Sequence, residues 1–237
     1  MKAIILAGGT GTRLGSLTYA TNKHLLPVGD RPMLMHGLDF LKQAGVDELL
    51  VVTGPEAIGP FATLFDRYPW WDRRIYFAAQ SKPTGVANAI RYGRQFCGNE
   101  SFLVLLGDNI IDAENLSSVQ AALASSEQLA HIWTIELPDV RHCGVLSVDN
   151  GRPILIEEKP QIPQSNLAIT GCYVFDKSIW DMIGTLSPSD RGEYEITDIL
   201  RWYLTEQRLK WHKYIGHWMD LGHSLQSYYT ESLRLIS

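Results

Sequence analysis

Cysteine is scarce in this sequence, with three residues among 237: Cys97, Cys143 and Cys172. The number is odd and no two of them form a Cys-x-x-Cys pair, which argues against a disulfide framework. We therefore predict buried, reduced thiols, as is usual for a protein of the cytoplasm.

The sequence also lacks a long apolar run and an excess of positive charge. No stretch approaches the ~20 apolar residues of a membrane-spanning helix, and the N-terminus has no charged segment followed by a cleavage site. We therefore predict a cytoplasmic protein with no membrane partner. The formal net charge is −5, whereas nucleic-acid binders carry a basic patch or stripe. A nucleic-acid partner is thus not expected, and an anionic ligand has to be met by local positive charge.

The remaining composition is that of an ordinary globular protein, with 45% hydrophobic and 20% charged residues. Apolar runs predict strands at 2–7, 48–53, 75–79, 102–106, 131–137, 144–148, 153–156, 169–175 and 209–215. Helical patterns cover a segment that Asp30 caps and Gly45 ends, then 61–65, 86–96, 114–126, a segment through 204, and 225–236. The opening order of strand, loop, helix and strand predicts a right-handed βαβ unit. The predicted fold is a single α/β, Rossmann-like domain whose mostly parallel central sheet is flanked by helices.

Glycines and basic residues cluster directly after the first predicted strand. Gly8, Gly9 and Gly11 lack a Cβ, so their backbone can adopt left-handed conformations and bring its N–H groups against an anion. Arg13 and Lys23 add positive charge where a triphosphate would lie. The stretch therefore predicts a phosphate-binding loop.

Two well-known glycine motifs do not fit this loop. The dinucleotide fingerprint requires glycine at the position of Leu14. The P-loop requires Gly-Lys-Ser/Thr, whereas this chain has Gly11-Thr12-Arg13. A phosphate-binding loop of another kind is expected.

Polar residues follow two further strands. Gln80 and Gly85 lie between a strand and a helix, and the amide of Gln80 suits the edge of a nucleobase. Asp108 follows the strand at 102–106 and should face the same crevice, because ligands bind outside the carboxyl ends of strands in such sheets. A carboxylate beside phosphates suggests Mg²⁺. A plain turn or capping role remains an alternative interpretation of Asp108.

The second half of the chain supplies further charged candidates. Glu158 and Lys159 leave the predicted hairpin together, and they suit sugar hydroxyls and a phosphate respectively, although a solvated charged turn is the alternative. Asp220 lies between glycines after a strand and is the predicted second metal ligand. His217, Asp220 and His223 also have the spacing of a zinc site, but the flanking glycines argue against the helical face that would align them.

Seven motifs occur in an order that resembles the sugar nucleotidylyltransferase family, in particular its short bacterial glucose-1-phosphate thymidylyltransferases. They lie at 8–14, 23–28, 106–109, 157–160, 169–173, 191–198 and 218–222. The resemblance implies a nucleotide-diphospho-sugar transferase fold with a nucleotide-binding half (1–112), a sugar-phosphate-binding half (113–237) and a small β-rich sugar-binding portion. Cys143 and Leu221 depart from the usual family pattern on the sugar side, which bears on the identity of the sugar.

The same resemblance implies roles for individual residues. The residues implied for the nucleotide are Leu6, Gly8, Gly9, Gly11, Thr12, Arg13, Lys23, Gln80, Gly85 and Asp108. The residues implied for the sugar phosphate are Asn109, Gly144, Glu158, Lys159, Ile169, Tyr173, Arg191 and Trp218. Asp108 and Asp220 are implied as ligands of Mg²⁺. The catalytic set is Arg13, Lys23, Lys159 and Asp108.

The expected reaction is transfer of a thymidylyl group from dTTP to a sugar 1-phosphate by in-line attack, with glucose 1-phosphate as the expected acceptor and pyrophosphate as the second product. Use of UTP or of another sugar is one alternative, because a single methyl group is worth only about 1–3 kcal/mol of discrimination. A non-catalytic nucleotide-sugar-binding protein is the other. Family habit implies a homo-oligomer.

Overall fold

The computed structural model describes residues 1–68 and 71–235. The strands are β1 (Lys2–Leu6), β2 (Pro27–Val28), β3 (Arg31–Pro32), β4 (Glu48–Thr53), β5 (Arg74–Ala79), β6 (Phe102–Leu106), β7 (Asn109–Ile110), β8 (Ala130–Glu136), β9 (Gly144–Asp149), β10 (Arg152–Glu158), β11 (Leu167–Phe175), β12 (Leu209–Lys213) and β13 (Met219–Asp220). The α-helices are α1 (Met33–Gln43), α2 (Ile58–Arg67), α3 (Val86–Arg91), α4 (Arg94–Cys97), α5 (Leu116–Ala124), α6 (Ile179–Ile183), α7 (Ile196–Thr205) and α8 (Leu225–Arg234).

One large sheet runs through both halves of the chain. Its strands lie in the order β10-β9-β11-β6-β1-β4-β5, and β8 pairs with β11 and β12. The central strands β5, β4, β1 and β6 are parallel, whereas β11 is antiparallel to β6. This arrangement confirms the predicted α/β architecture with a mostly parallel central sheet. The predicted strands are also confirmed, with ends that differ by at most two residues.

The apolar character of β1 follows from burial on both of its faces. Ile4 and Leu6 join the core under α3, α6 and α7, while Ala3 and Ile5 join the core under α1, α2 and α5. Parallel strands covered by helices on both sides are continuously hydrophobic for this reason. Burying one such aliphatic side chain stabilises the fold by about 1.5–3 kcal/mol. The sheet is therefore a rigid support for the loops at its carboxyl edge.

The predicted cap of the first helix is wrong. Helix α1 begins at Met33 with Pro32 at the N-cap, and no side chain caps it. Asp30 instead lies in the turn of the small β2–β3 hairpin, where Gly29 has a φ of 65°. Its carboxylate accepts a hydrogen bond of 2.9 Å from Nε of Arg31. Its residue type suggested a cap, but strand β3 of the hairpin separates Asp30 from the first residue of α1.

The helix predicted over 86–96 is divided into α3 and α4. The break lies at Gly93, which packs on β1 so closely that an added Cβ would lie 2.2 Å from Cδ1 of Ile4. This contact joins residues far apart in the sequence, so local periodicity carried no sign of it. The helix predicted over 61–65 is longer than expected, as α2, and α6 was not predicted.

The final predicted helix is confirmed over α8, where Ser224 and Ser227 form a capping box. Its predicted last residue, Ile236, lies outside the described residues, as do Pro69 and Trp70 of the connection predicted before β5.

The three cysteines are free and buried, as predicted. Among the described residues, none of the helices has both the length and the hydropathy needed to span a bilayer.

Candidate active site

A cleft of about 400 Å³ opens at the carboxyl edge of the parallel strands. It lies beyond the ends of β1 and β6, where ligands bind in open α/β sheets. The residues predicted for the site that line it are Leu6, Gly8, Gly9, Gly11, Thr12, Arg13, Lys23, Gln80, Gly85, Asp108, Asn109, Gly144, Glu158, Lys159, Ile169, Tyr173, Trp218 and Asp220. Arg191 is the exception and lies behind Glu158. The topology thus brings together nearly the whole predicted set from all parts of the chain.

The glycine loop depends on backbone conformations that other residues rarely adopt. Gly9 and Gly11 have φ values of 95° and 64°. At Gly11 a Cβ would also lie 2.7 Å from Cγ2 of Thr18, whose hydroxyl donates a 3.1 Å hydrogen bond to the Gly11 carbonyl. The loop then enters a 3₁₀ helix, Thr12–Thr18, which carries Arg13 on the cleft wall.

Asp108 and Asp220 meet through a very short ladder. Asp108 follows β6, and the antiparallel pair β7–β13 sets Asp220 opposite Asn109. Backbone bonds fix both residues, since Leu221 N–H donates to the Asp108 carbonyl at 2.9 Å. The N–H of Gly222 donates to Oδ1 of Asp220 at 3.0 Å. Two acidic side chains from opposite halves of the chain therefore face one cleft.

The two carboxyl groups have opposite electrostatic surroundings. Burial would raise the pKa of Asp108, but its ion pair with Lys23, helped by a hydrogen bond from Asn109, holds that pKa well below the usual range. Burial raises the pKa of Asp220, and the charge of Asp108 raises it further. Repulsion between two half-buried carboxylates is relieved by a shared cation, so the pair suits a divalent metal ion.

The donor set also indicates which ion fits. Gly222 keeps space open, because a Cβ there would lie 2.2 Å from Oδ2 of Asp108 and 2.8 Å from Nζ of Lys23. Within the described residues, groups of three or more His, Cys, Asp or Glu with metal-binding geometry are absent. Two carboxylates are an all-oxygen donor set, which suits a hard divalent cation whose other ligands are water and substrate oxygens.

The alternative zinc site does not form. His217 contacts Glu231 at 3.0 Å and Arg234, while the ring of His223 stacks on His142 at a centroid distance of 3.8 Å. The histidines that flank Asp220 in sequence thus have other partners, as the flanking glycines suggested.

One end of the cleft is apolar with a single buried amide. Gln80 is buried, and its Nε2 has no partner within the protein. Gly8 leaves room for it, since a Cβ there would lie 3.1 Å from Oε1 of Gln80. Gly85 has a φ of 105° and lies against the Tyr194 backbone, where a Cβ would be only 2.5 Å from the carbonyl oxygen. This end therefore offers one orientable amide to a flat polar ring.

The other end of the cleft is a hydrogen-bonded cluster around Glu158. Its carboxylate accepts from Thr197 Oγ1 at 3.1 Å and lies 3.4 Å from both Lys159 Nζ and Arg191 Nη2. Arg191 also contacts Glu195 at 2.9 Å and Glu193 at 3.2 Å, so its guanidinium is held by carboxylates of its own segment as well as by Glu158. Lys159 has a φ of 45°, an uncommon left-handed conformation for lysine, and its N–H donates to the Cys143 carbonyl at 3.0 Å.

Asn109 joins the two ends. Its Oδ1 accepts from Gly171 N–H at 3.0 Å and from Trp218 Nε1 at 2.7 Å, while Nδ2 donates to Asp108 at 3.0 Å. The side chain is 3% exposed. A contact of Asn109 with the sugar phosphate stays a prediction; within the protein, its amide holds Trp218 and Asp108.

Sequence reasoning missed other residues of the cleft, although several lie inside the motifs it used. The missed lining residues are Thr10, His24, Pro83, Val86, Ala89, Leu106, His142, Cys143, Gly171, Glu193, Ile196, Thr197, Leu200 and Gly222. Thr197 and Gly222 lie within two of the recognised motifs, which is the signal that could have found them. Val86 and Ala89 of α3 and Leu200 of α7 carry no such signal, because their patterns are those of ordinary core helices.

Residues 2–237 match the family model described as Nucleotidyl transferase. A glucose-1-phosphate thymidylyltransferase from Neisseria meningitidis is 37% identical over 226 residues, which are 94% of this chain and 78% of that protein. One from Streptomyces griseus is 36% identical over 94% of this chain, and the chain spans 62% of its length.

Solved structures agree with these relatives. A Bacillus anthracis structure, described as a glucose-1-phosphate thymidylyltransferase in complex with a sucrose, has a TM-score of 0.93 and 37% identity, and the match covers 100% of this chain and 96% of that one. A UDP-glucose pyrophosphorylase complexed with UDP-glucose has a TM-score of 0.85 at 24% identity, a likeness of fold alone.

Proposed function

Because this chain belongs to the nucleotidyl transferase family, we propose that it transfers the thymidylyl group of dTTP to glucose 1-phosphate, giving dTDP-glucose and pyrophosphate. The observation that carries the proposal is one cleft lined by the glycine loop, the carboxylates of Asp108 and Asp220, and the Glu158–Lys159 pair. Relatives at 36–37% identity with this named activity support the choice of substrates.

The reaction needs no nucleophilic side chain. A phosphate oxygen of glucose 1-phosphate attacks the α-phosphorus of dTTP in line, the bond to the bridging oxygen of the β-phosphate breaks, and pyrophosphate leaves. The attacking oxygen is already anionic at neutral pH, so no proton has to be removed. The protein contributes positioning and charge stabilisation.

The charged residues divide between the two substrates. Arg13 and the backbone of the glycine loop hold the triphosphate, and Gln80 orients the thymine. Lys159 holds the phosphate of the sugar, while Glu158 accepts hydrogen bonds from the sugar hydroxyls. Lys23, in its ion pair with Asp108, lies at the junction and stabilises charge on the α-phosphate.

We further propose that Asp108 and Asp220 hold a divalent metal ion and that this ion is Mg²⁺. When bound, the ion supplies charge neutralisation at the phosphate oxygens. Lys23 and Asn109 keep Asp108 oriented and ionised, and Gly222 orients Asp220 through its N–H. A homo-oligomer remains a prediction, which light scattering of the purified protein tests.

Pyrophosphate release tests the proposal. Purified protein with Mg²⁺ is offered dTTP or UTP, each with glucose 1-phosphate or other hexose 1-phosphates. We expect release that requires both substrates and is fastest with dTTP and glucose 1-phosphate. Equal or faster release with UTP would indicate the sibling activity, and nucleotide-sugar binding without release from any pair would indicate a binding protein.

A further inference from the structure

His142 and His223 form a stacked imidazole pair at the mouth of the cleft, and the proposed reaction assigns it no role. The ring centroids lie 3.8 Å apart with an interplanar angle of 28°. His142 precedes β9 and lines the cleft, while His223 precedes α8. Both side chains are half-buried, so solvent and an incoming ligand reach them.

The pair lies among cations. Arg13 acts on both rings and Lys159 acts on His142. The opposing charge is Asp139, which acts on both rings but is itself held by Arg141 through bonds of 2.9 and 2.7 Å. Two imidazoles beside Arg13, with Asp139 already neutralised by Arg141, form a surface that disfavours protonation while the cleft is empty.

We propose that this imidazole pair takes up a proton when a polyphosphate lies against Arg13, and thereby adds a positive charge to the anion-binding mouth of the cleft. The inference rests on the proposed function only in that the polyphosphate is the β,γ-end of dTTP or the departing pyrophosphate. The proton comes from solvent and returns to it when the anion leaves, so no bond of the substrate is involved.

Proton binding by the imidazole pair is thermodynamically linked to anion binding at Arg13. Burial lowers the pKa of both histidines, and Arg13 lowers each pKa further, so the pair is neutral near pH 7 in the free protein. An anion of several negative charges beside Arg13 reverses the sign of the local field and raises both values. If one pKa rises by one unit, the protonated protein binds the anion about tenfold more tightly than the neutral one.

The stacked geometry suits one proton better than two. Face-to-face rings at this distance would repel if both were charged, whereas a charged ring over a neutral aromatic ring is attracted. The pair therefore takes up a proton as a unit, in a pH range in which an isolated lysine or arginine does not titrate.

Calorimetry of the whole protein tests the inference. Titrations with dTTP and with inorganic pyrophosphate, at fixed Mg²⁺ and in two buffers of different protonation enthalpy, give the number of protons taken up. The comparison is between the wild type and the double variant His142→Asn with His223→Asn. Because the phosphates of both ligands also titrate in this range, the informative quantity is the difference between the two proteins.

The chain offers a matched control. His131 and His212 form another stacked pair, with ring centroids 5.3 Å apart, on β8 and β12 outside the cleft lining. His212→Asn should leave proton uptake and affinity unchanged. Circular dichroism of each variant checks that the fold is retained.

We expect the double variant to lose proton uptake and to bind either probe more weakly at pH 5.5, by up to about tenfold, with the difference vanishing by pH 8.5. Equal uptake in the two proteins, or a loss of affinity that is the same at both pH values, would overturn the inference. So would a wild type that binds no pyrophosphate. Failure of pyrophosphate release with every substrate pair, while pyrophosphate still binds with proton uptake, would refute the proposed reaction alone.

Discussion

The two walls of the cleft are built on opposite principles. One, which we term the glycine wall (Gly8, Gly9, Gly11 and Gly222), depends on side chains that are missing, because a Cβ at Gly11 or Gly222 would collide with its neighbours. The other, the carboxylate wall (Glu158 with Lys159, Arg191 and Thr197), depends on groups that are present and satisfy one another. The first wall should therefore be damaged by additions and the second by deletions.

The largest effect is expected from the carboxylates of Asp108 and Asp220, which lie between the two walls. Asp108→Asn or Asp220→Asn keeps the shape but removes a charge, and each should lower Mg²⁺-dependent turnover by about 10³-fold, as loss of a preorganised charge contact does. Pyrophosphate release measures the effect. Asp149→Asn, on the exposed turn of the β9–β10 hairpin, is the control and should leave the rate unchanged. A near-wild-type rate in either carboxylate variant would remove that residue from the mechanism.

An added methyl group tests the glycine wall. Gly222→Ala places a Cβ against Asp108 and Lys23, so the ion pair must move, and kcat should fall by about 10²-fold while the fold survives. Gly59→Ala is the matched control, since its Cβ meets nothing within 4 Å and lies in α2. It should keep full activity and raise stability by about 0.5–1 kcal/mol. Equal activities for the two variants would show that the wall has room to spare.

A deleted charge tests the carboxylate wall. Lys159→Ala should raise KM for glucose 1-phosphate by about 10–100-fold, the range for a hydrogen bond to a charged group, and leave dTTP binding nearly unaltered. Initial rates and calorimetry separate the two substrates. Exposed Lys177→Ala serves as the control. A larger loss for dTTP would reassign Lys159 to the triphosphate.

The smallest effect is expected from a deleted hydroxyl. Thr197→Val keeps the shape of a residue that is 1% exposed but removes the 3.1 Å bond to Glu158. Glu158 keeps its ion pairs with Lys159 and Arg191 when this one bond is lost, so kcat/KM for the sugar phosphate should fall by only about 2–10-fold. The same change at exposed Thr205 should have none of this effect. A fall that exceeds that of Lys159→Ala would reverse the order of importance within the wall.

In each wall, the residues that lie in one short motif were easier to predict than those that packing brings to it. Gly9, Gly11 and Arg13 are neighbours in the chain, so their joint purpose is visible in a short motif. Glu158 and Thr197 are brought together only by the packing of α7 on β10, and Arg191 could not be known to point at Glu195.

The same distinction separates the predicted fold from the corrected one. Strands buried on both faces are recognisable from composition alone, and their ends were within two residues of the observed ones. The break between α3 and α4 was missed because it depends on the contact of Gly93 with Ile4. Asp30 was misplaced because the β2–β3 hairpin, a pairing of two residues with two, leaves almost no pattern to read.

The pairing of β7 with β13 limits when, during synthesis, the cleft can be completed. A ribosome delivers Asp108 long before Asp220, and the parallel strands that carry the glycine wall are already made by then. A nascent chain that ends between Asp108 and Asp220 contains the glycine loop and Asp108 but lacks the second carboxylate of the cleft. This pairing, only two residues long, needs the last strand in the described part of the chain, so the cleft is incomplete until that strand is made.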